Sequence, residues 1–312
     1  MKPSIRSFVT KTLRSFVSLG VLIGLLSGCD TEPPVVRPQY GVTPPQSEIE
    51  YRFSIHPLHN PTRLAEVFGP LIDLLNRHIR GVRFQLESSR DYASYNEKLF
   101  QGQHDFSLPN PYQTLRALDH GYRVFGKMGD DESFRGIILV RRDSSIREIA
   151  ELKGQAVSFP APTALAATMM PQYYLKQQGV DPLRDIEVRY VGSQESSIMN
   201  VFHGDTAAGA TWPPPWRAFA RERPEAAAQL EVRWQTDPLP NNGVIANRRV
   251  PDEHVNAVAR ILFNLHESEE GRSVLARMDL SRFEPANANT YRPVRRFVRA
   301  FAREVRDPDA EP

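Results

Sequence analysis

Apolar residues recur along this chain with two spacings, and the two alternate from about residue 50 onward. Residues 51–55 alternate between apolar and polar side chains, which is typical of a half-buried strand. Asn60 and Pro61 follow, a favourable N-cap and a proline at the first helical position. Apolar residues then recur at helical spacing from Leu64 to Leu75. The pattern predicts a strand followed directly by a helix.

The same pattern repeats through the middle of the chain. Further strands are predicted at 82–86, 104–108, 136–140, 156–159 and 187–191. Helices are predicted at 92–100, 112–118, 252–266, 271–278 and 291–303, with two more that end near Gly179 and Gly204. This alternation predicts an α/β protein with largely parallel sheets.

The turns between strands and helices are the candidate ligand site. In open α/β sheets, ligands lie beyond the carboxyl ends of strands, beside helix N-termini whose unpaired N–H groups suit an anion. The candidate turns are at Asn60, Asn110, Thr163 and Ser193. Such turns occur in every α/β protein, so they identify no particular ligand by themselves.

The N-terminus has the pattern of an export signal. Four basic residues and no acid precede an apolar run at 16–26, which is too short to remain in a membrane as a spanning helix. The run ends in Leu26-Ser27-Gly28-Cys29, which resembles a bacterial lipobox. An ordinary signal peptide with a chance cysteine is the alternative. Because the only cysteine of the chain falls where a lipobox requires it, lipidation is favoured.

The lipobox resemblance implies an exported protein with a palmitate-type anchor at Cys29. Residues 1–28 would be the signal peptide, and the proline-rich residues 29–48 would be a tether that cannot bury a core. Asp30 resembles the inner-membrane retention signal of enteric lipoproteins. The expected location is therefore periplasmic, anchored by lipid, with the inner membrane favoured.

Composition narrows the classes of function. The 312 residues are 40% hydrophobic and 24% charged, which is ordinary for a globular protein with room for about two domains. A net charge of +2 gives no basic footprint for nucleic acid, and a single cysteine excludes an intrachain disulfide. The P-loop, G-x-S-x-G and H-E-x-x-H motifs are absent. We expect no catalytic residue, cofactor or metal.

Several motifs carry a more specific resemblance. They are the hinge-like strand 138–144 with the Leu152-Lys153-Gly154 segment, Gly102 to Asp105 with Pro109 to Tyr112, Gly192-Ser193, Gly204-Asp205, 239–244, and 282–285 with Tyr291. In this order, over roughly 49–301, they resemble the phosphate/phosphite/phosphonate-binding proteins of ABC transporters.

The resemblance implies a type II periplasmic binding protein fold, in which two α/β lobes are joined by two hinge crossovers and close on a ligand. Lobe one would comprise 49–140 and 243–305, lobe two would comprise 141–242, and 306–312 would be a disordered tail. The implied partners are a small molecule and an ABC permease, and the protein is expected to be a monomer.

The family's phosphonate cradle is only partly present. The resemblance assigns Tyr112 a position facing the ligand from lobe one. In lobe two, the family's Ser-Thr-Ser-Gly turn is replaced by Thr163-Ala164-Leu165-Ala166-Ala167-Thr168, in which only Thr163 keeps a hydroxyl in the cradle. Each lost hydrogen bond to a charged ligand is worth about 1.5–3 kcal/mol. Backbone N–H groups can still bind an oxyanion.

Other candidate positions also depart from the family. Gln194 and Glu195 replace a histidine or polar pair, and Glu195 would meet either a ligand amine or the helix dipole. Trp212 replaces an acid or amide, and offers either a flat face to the ligand or simple packing. His56 and His59 have three readings: ligand contact, a metal site, or ordinary loop polarity. The candidate ligand residues are Tyr112, Thr163, Asn110, His59, Asn60, Ser193, Gln194, Glu195 and Trp212.

These departures favour a ligand that is larger or less anionic than phosphate, or a protein that has moved from transport to sensing. Two classes of function stay open on the sequence. The first is a lipoprotein that captures a phosphonate-like or other organic anion and delivers it to an ABC importer. The second is a ligand-sensing subunit that feeds a membrane signalling partner. An enzyme ranks third.

Overall fold

The computed structural model describes residues 48–310. The predicted signal peptide, nearly all of the tether, and Cys29 and Asp30 lie outside the described residues. Within 48–310, no helix combines the length and the apolar character that crossing a membrane requires.

The strands form two separate sheets. In chain order they are β1 Ile49–Ile55, β2 Val82–Glu87, β3 Phe106–Leu108, β4 Tyr122–Met128, β5 Ile137–Arg141, β6 Ala156–Phe159, β7 Glu187–Tyr190, β8 Ala208–Thr211, β9 Leu230–Gln235, β10 Gly243–Asn247 and β11 Phe283–Pro285. The first sheet has the order β11-β4-β10-β3-β1-β2, and the second has the order β7-β6-β8-β5-β9.

Helices cover the faces of both sheets. They are α1 Pro61–His78, α2 Tyr92–Phe100, α3 Pro111–Leu118, α4 Met170–Gln177, α5 Gln194–His203, α6 Pro213–Glu222, α7 Pro224–Ala227, α8 Asp252–Asn264, α9 Glu269–Arg277 and α10 Arg292–Glu304. A π-helical turn at Leu165–Met169 leads directly into α4. Short 3₁₀ turns lie at Asp131–Ser133, Ile149–Leu152 and Leu265–Glu267.

Five strands of the first sheet, β2-β1-β3-β10-β4, repeat the order and directions of β7-β6-β8-β5-β9, and the first sheet adds β11 at its edge. Both sheets are mixed rather than largely parallel as the sequence predicted. β1 pairs in parallel with β2 and β3, and β6 pairs in parallel with β7 and β8. β10 runs antiparallel to β3 and β4, and β5 runs antiparallel to β8 and β9. β10 and β5, which run opposite to their neighbours, are the strands that the chain forms directly after it crosses from the other lobe. A pattern of apolar residues carries no information about that direction.

The chain passes from the first sheet to the second before β5, not after it. The predicted boundary of lobe one at Val140 is therefore corrected, because Ile137–Arg141 lies between β8 and β9 in the second sheet. Residues 137–140 are buried and apolar, and such a strand reads the same in either lobe. The chain re-enters the first sheet with β10.

The two crossovers between the lobes run side by side. The Thr236 amide donates to the Gly136 carbonyl over 2.9 Å, and the Gly136 amide donates to the Thr236 hydroxyl over 3.0 Å. The Leu239 amide donates to the Phe134 carbonyl over 3.0 Å. A hinge built from two hydrogen-bonded segments restricts the relative motion of the lobes to a few backbone torsions.

Residues 306–310, which the sequence predicted as part of a disordered tail, contact both lobes. The Arg306 guanidinium donates to the Pro162 carbonyl over 2.6 Å. Pro308 is buried, and the Asp309 carboxylate accepts a hydrogen bond from Tyr112. A polar, proline-containing terminus is typical of disorder, but here its charged groups find partners on both lobes.

Candidate functional site

Helices from both lobes begin at one central cavity between the two sheets. Tyr92 and Asn110 stand at the starts of α2 and α3, in lobe one. Gln194 and Trp212 stand at the starts of α5 and α6, in lobe two, beside the π-helical turn. Each helix follows a strand, so its N-terminus lies at the carboxyl edge of its sheet. The dipoles of these helices and the first-turn N–H groups of α2, α3 and α5 therefore favour an anion in this cavity. α6 adds only its dipole, because Pro213, Pro214 and Pro215 have no N–H to donate.

The cavity is small. Its volume is about 10 Å³, and a single water molecule needs about as much. Three of its walls are the apolar side chains of Phe134, Leu165 and Trp212. The complete lining is His56, Tyr92, Asn110, Phe134, Ala164, Leu165, Ala166, Ala167, Gln194, Trp212 and Asn242. A ligand larger than a water molecule can therefore enter only with separation of the lobes.

The π-helical turn supplies backbone donors to the cavity, and its one hydroxyl, on Thr168, is not part of the lining. The Met169 N–H donates to the carbonyl of Ala164, five residues earlier, instead of four residues earlier as in an α-helix. The Thr168 N–H donates to the same carbonyl. Among the described residues, no carbonyl accepts from the N–H groups of Ala166 and Ala167. π-Helical turns are rare and occur often at functional sites. An oxyanion in the cavity would be bound here by peptide N–H groups alone.

His56 stands at the end of β1 and is 3% exposed. Its Nδ1 lies 2.8 Å from the Leu108 carbonyl oxygen, which can only accept a hydrogen bond. Nδ1 therefore carries the proton. Burial lowers the pKa of His56 to about 4, so the ring is neutral at neutral pH. The other ring nitrogen, Nε2, is then an acceptor at the cavity.

Tyr92 and Gln194 both line the cavity, one from each lobe. The Gln194 Oε1 accepts from the Thr211 hydroxyl over 2.9 Å, so the Nε2 of Gln194 is the donor that remains. Burial raises the pKa of the Tyr92 phenol, so it stays neutral. Each lobe thus places a neutral polar side chain at the cavity.

Asn110 holds the lobes together beside the cavity. Its Oδ1 accepts from the Gln113 backbone N–H over 3.0 Å. The Gln113 Oε1 in turn accepts from the Asn110 backbone N–H, which completes a capping box. The Asn110 Nδ2 donates to the Thr163 carbonyl over 2.9 Å. The N-cap residue of a lobe-one helix is therefore hydrogen-bonded to the turn that precedes the lobe-two cradle.

A second cavity, of about 60 Å³, lies at the mouth of the cleft. Its polar lining comprises His59, Asn60, Arg63, Ser193, Gln194, Glu195 and Glu222. Ion pairs join the lobes at this rim: Arg63 to Glu222 over 2.6 Å, and Arg217 to Asp279 over 2.6 Å. None of the residues that line the central cavity is a lysine, arginine, aspartate or glutamate. A third cavity, which shares Trp212 and Asn242 with it, is lined in part by Arg63, Arg221, Arg277 and Asp279.

A sequence model of the family described as "ABC transporter, phosphonate, periplasmic substrate-binding protein" matches residues 53–291. The chain belongs to this family of substrate-binding proteins. The resemblance seen in the sequence motifs is confirmed. A curated relative from Prochlorococcus marinus (strain MIT 9301), described as a probable ABC transporter phosphite binding protein PhnD1, is 21% identical over 189 residues. That alignment covers 56% of this chain and 64% of the relative.

Solved structures of such binding proteins share the fold. The binding component of an ABC phosphonate transporter from Pseudomonas aeruginosa superposes with a TM-score of 0.76 at 18% identity, covering 82% of this chain and 88% of that one. The P. marinus PhnD1 in complex with methylphosphonate gives 0.73 at 18% identity, covering 80% and 97%. The fold is the type II periplasmic binding protein fold, as predicted.

The predicted site residues of this family member fall into three groups. Asn110, Gln194 and Trp212 reach the central cavity. His59, Asn60, Ser193 and Glu195 line the mouth, and Gln194 borders both cavities. Thr163 and Tyr112 line neither cavity. The Thr163 hydroxyl instead accepts from the Asn96 amide over 3.4 Å, across the lobe boundary.

The side chains at the mouth are engaged in local structure. Asn60 and Ser193 cap α1 and α5, accepting from backbone amides over 2.9 and 3.0 Å. Glu195 is exposed and pairs with Arg223 over 3.0 Å. Its place in the first turn of α5 fits the helix-dipole alternative, and its distance from the central cavity disfavours contact with a ligand amine there.

Tyr112 is buried outside both cavities. Its side chain is 2% exposed, and its hydroxyl donates to the Asp309 carboxylate of the C-terminal segment. Tyr112 is the second residue of α3, and this position turns it away from the cavity that its neighbour Asn110 reaches. Successive helical side chains are about 100° apart around the axis, so Tyr112, two positions after Asn110, faces a different side of α3.

Trp212 has a packing contact and a place in the cavity lining. Its ring packs on Phe134, with centroids 5.5 Å apart and a tilt of 60°, and it also walls the central cavity. Tyr92 and Asn242 line the cavity and were not among the predicted site residues. Tyr92 follows the N-cap Asp91, so the strand-to-helix signal used for Asn110 would have found it. Asn242 lies in a crossover, where no local pattern marks a site.

Proposed function

We propose that this protein captures a small phosphonate-like oxyanion between its two lobes and delivers it to the permease of an ABC importer. The observation that supports this most directly is the convergence of helix N-termini from both lobes on one cavity. Opening separates the two sets of donors, and closure brings them together around an anion. Ligand binding would therefore be coupled to the shape that a permease recognises.

The lining of the central cavity supports a compact ligand over the larger one that the sequence left open. Phe134, Leu165 and Trp212 wall it with apolar side chains, which offer few partners to additional polar groups. The lining lacks lysine and arginine, which favours a low net negative charge. We infer a small oxyanion such as phosphite or methylphosphonate in preference to a long organic anion.

We also propose that lipid on Cys29 holds the protein at the periplasmic face of a membrane, the inner membrane by the Asp30 criterion. A polyproline-like tether over 29–48 would reach about 60 Å, at roughly 3.1 Å per residue. That reach lets a single copy of the folded part meet a permease embedded in the same membrane. The family match favours this role over a signalling subunit.

A thermal-shift panel on the full-length chain in detergent tests the proposal. Phosphate, phosphite, methylphosphonate, methanesulfonate and acetate should be compared. A ligand at 100 times its Kd stabilises by about 2.7 kcal/mol, which is several degrees for a protein of this size. We expect phosphorus oxyanions to give the largest shift. A response to acetate alone would show that the substrate class is wrong.

A pair of variants connects the shift to the cavity. Ala166→Asp would place a carboxylate beside the amides of the π-helical turn, and it should abolish the shift. Ala93→Asp puts the same charge on an exposed position of α2 and should preserve it. Melting curves without ligand check that both variants fold. An unchanged shift in Ala166→Asp would place the ligand elsewhere.

A further inference from the structure

The central cavity presents hydrogen-bond acceptors as well as donors. The Asn242 side chain is fully buried, and its Oδ1 has no hydrogen-bond partner among the described residues. Its Nδ2 is directed at the Met128 sulfur, 3.5 Å away. His56 also lines the cavity, and because its Nδ1 donates to the Leu108 carbonyl, Nε2 is the acceptor nitrogen of the ring. Two residues that line the cavity thus bring an acceptor to it, in addition to the backbone donors of the helix N-termini.

Acceptors of this kind conflict with a fully ionised ligand. The oxygens of a dianionic phosphonate carry lone pairs only, and these would face the lone pairs of His56 and Asn242. A buried acceptor without a donor costs about 1–3 kcal/mol. A singly charged oxyanion that keeps one P–OH group can donate to one of these acceptors. Its other oxygens still accept from the helix N-termini.

The absence of charged residues from the cavity lining also favours a singly charged ligand. None of the residues that line it is a lysine, arginine, aspartate or glutamate. Peptide N–H groups and helix dipoles are partial charges, so they match one negative charge better than two. Arg63, Glu195 and Glu222 stand at the mouth, and Arg63 and Glu195 are paired with opposite charges there.

We propose, building on the proposed function, that the cavity selects an oxyanion in its singly charged, protonated form, and that His56 Nε2 recognises the ligand's hydroxyl hydrogen. His56 is then a specificity residue: it accepts from P–OH and opposes a bare oxygen. The ligand class is a compact phosphonate or phosphite monoanion. A sulfonate has the right charge and shape but lacks the proton.

The groups that face His56 do not supply a competing proton switch at neutral pH. The Tyr92 and Tyr95 rings of α2 meet it edge-on at 6.1 and 6.5 Å. Burial raises the pKa of both phenols, so both stay protonated. His59 is on the same loop, and burial together with Arg63 and His56 lowers its pKa. β3 contributes only the Leu108 carbonyl.

Titration calorimetry on the full-length chain in detergent tests the idea with two probes of equal size. Methylphosphonate is measured at pH values below and above the loss of its second proton, and methanesulfonate is measured alongside. If only the monoanion binds, the apparent Kd for methylphosphonate rises about tenfold per pH unit above that point. Methanesulfonate should bind weakly at every pH. A flat profile, or sulfonate binding as tight as phosphonate, would overturn this inference and leave the proposed function intact.

His56→Gln tests the residue itself. A carboxamide can turn either its oxygen or its N–H₂ toward the ligand, so the pH slope should flatten and methanesulfonate should gain affinity. His203→Gln makes the same change at an exposed site at the end of α5 and should keep the slope. A full slope in His56→Gln would remove His56 from the proposal. If no phosphorus oxyanion binds at any pH, the proposed function and this inference both fail.

Discussion

The Tyr112 hydroxyl donates a hydrogen bond to the Asp309 carboxylate, and this contact ties the last described residues to lobe one. Arg116 of the same helix adds an ion pair to Asp309 over 3.4 Å. Three residues earlier, Arg306 reaches the Pro162 carbonyl of lobe two. The C-terminal segment is therefore a strap that bridges the lobes behind the cavity. Contacts made only when the lobes meet favour the closed state.

Removing the strap's contact with lobe two should weaken ligand binding. Arg306→Ala removes the hydrogen bond to Pro162, which is worth about 1 kcal/mol. If this bond forms only on closure, the Kd for methylphosphonate should rise about fivefold. Arg303→Ala is the matched control, since Arg303 pairs with its neighbour Glu304 on an exposed surface. Calorimetry on both variants measures the effect, and equal Kd values would mean that the strap does not bias closure.

Restoring one lost cradle hydroxyl should strengthen phosphonate binding. Ala166 lines the central cavity in the turn where the family carries serine and threonine. Ala166→Ser adds a donor, and a hydrogen bond to a charged ligand contributes about 1.5–3 kcal/mol, or roughly tenfold and upward in affinity. Ala117→Ser is buried on α3 away from the cavity and serves as the control. A serine at 166 that weakens binding would show that the cavity lacks room for the hydroxyl.

Most of the fold and part of the candidate site could be predicted from the sequence. Helix starts at Asn60, Asn110 and Ser193 were predictable because a cap is a local event, decided by a few neighbouring residues. The position of β5 in the second sheet was not, because its buried apolar pattern is identical in either lobe. Asn242 was missed for a related reason: a crossover becomes part of a site only when two distant segments meet.

A cationic end on the ligand should reduce affinity. The central cavity has no carboxylate, so the ammonium group of 2-aminoethylphosphonate would be buried without a partner, which costs several kcal/mol. Ethylphosphonate is the neutral-tailed comparison, and it should bind at least about tenfold more tightly. Asn242→Asp would supply the missing carboxylate and should narrow or reverse this preference. Competition binding measures the ratio, and a preference for the amine in the native chain would contradict the electroneutral cavity.

Acid should destabilise lobe one through Glu87. Its carboxylate lies 3.0 Å from His104 Nδ1 and 2.8 Å from Lys98 Nζ. The hydrogen bond from His104, and then Lys98, lower the pKa of Glu87 from about 4.5 to about 2. A lowered folded-state pKa gives stability that is complete above the unfolded-state value, near pH 4.5, and is lost as the pH falls toward 2. The loss is of order 3 kcal/mol.

Glu87→Gln should remove that part of the acid sensitivity. The variant is expected to be less stable than the native chain at neutral pH and to differ little from it near pH 2. Glu97→Gln, an exposed change on α2, is the control. Chemical denaturation across this range gives both curves. A native curve that shows no extra loss below pH 4.5 relative to Glu87→Gln would rule out the linkage.

A methyl group at the hinge should disturb both stability and binding. A Cβ on residue 136 would lie 2.6 Å from the Ala166 carbonyl oxygen and 2.7 Å from the Pro171 ring, so the backbone must shift. Overpacking of this kind costs about 1–3 kcal/mol. Because Ala166 belongs to the turn whose amides face the cavity, Gly136→Ala should lower methylphosphonate affinity as well as the melting temperature. Gly69→Ala, with no atom within 4 Å of its new Cβ, should stabilise α1 by about 0.5–1 kcal/mol and leave affinity unchanged. Melting curves measure the stability of each variant. Calorimetry at temperatures below both melting transitions measures the affinity separately. A Gly136→Ala variant that loses stability but binds normally would show that the hinge contact supports the fold without positioning the cradle.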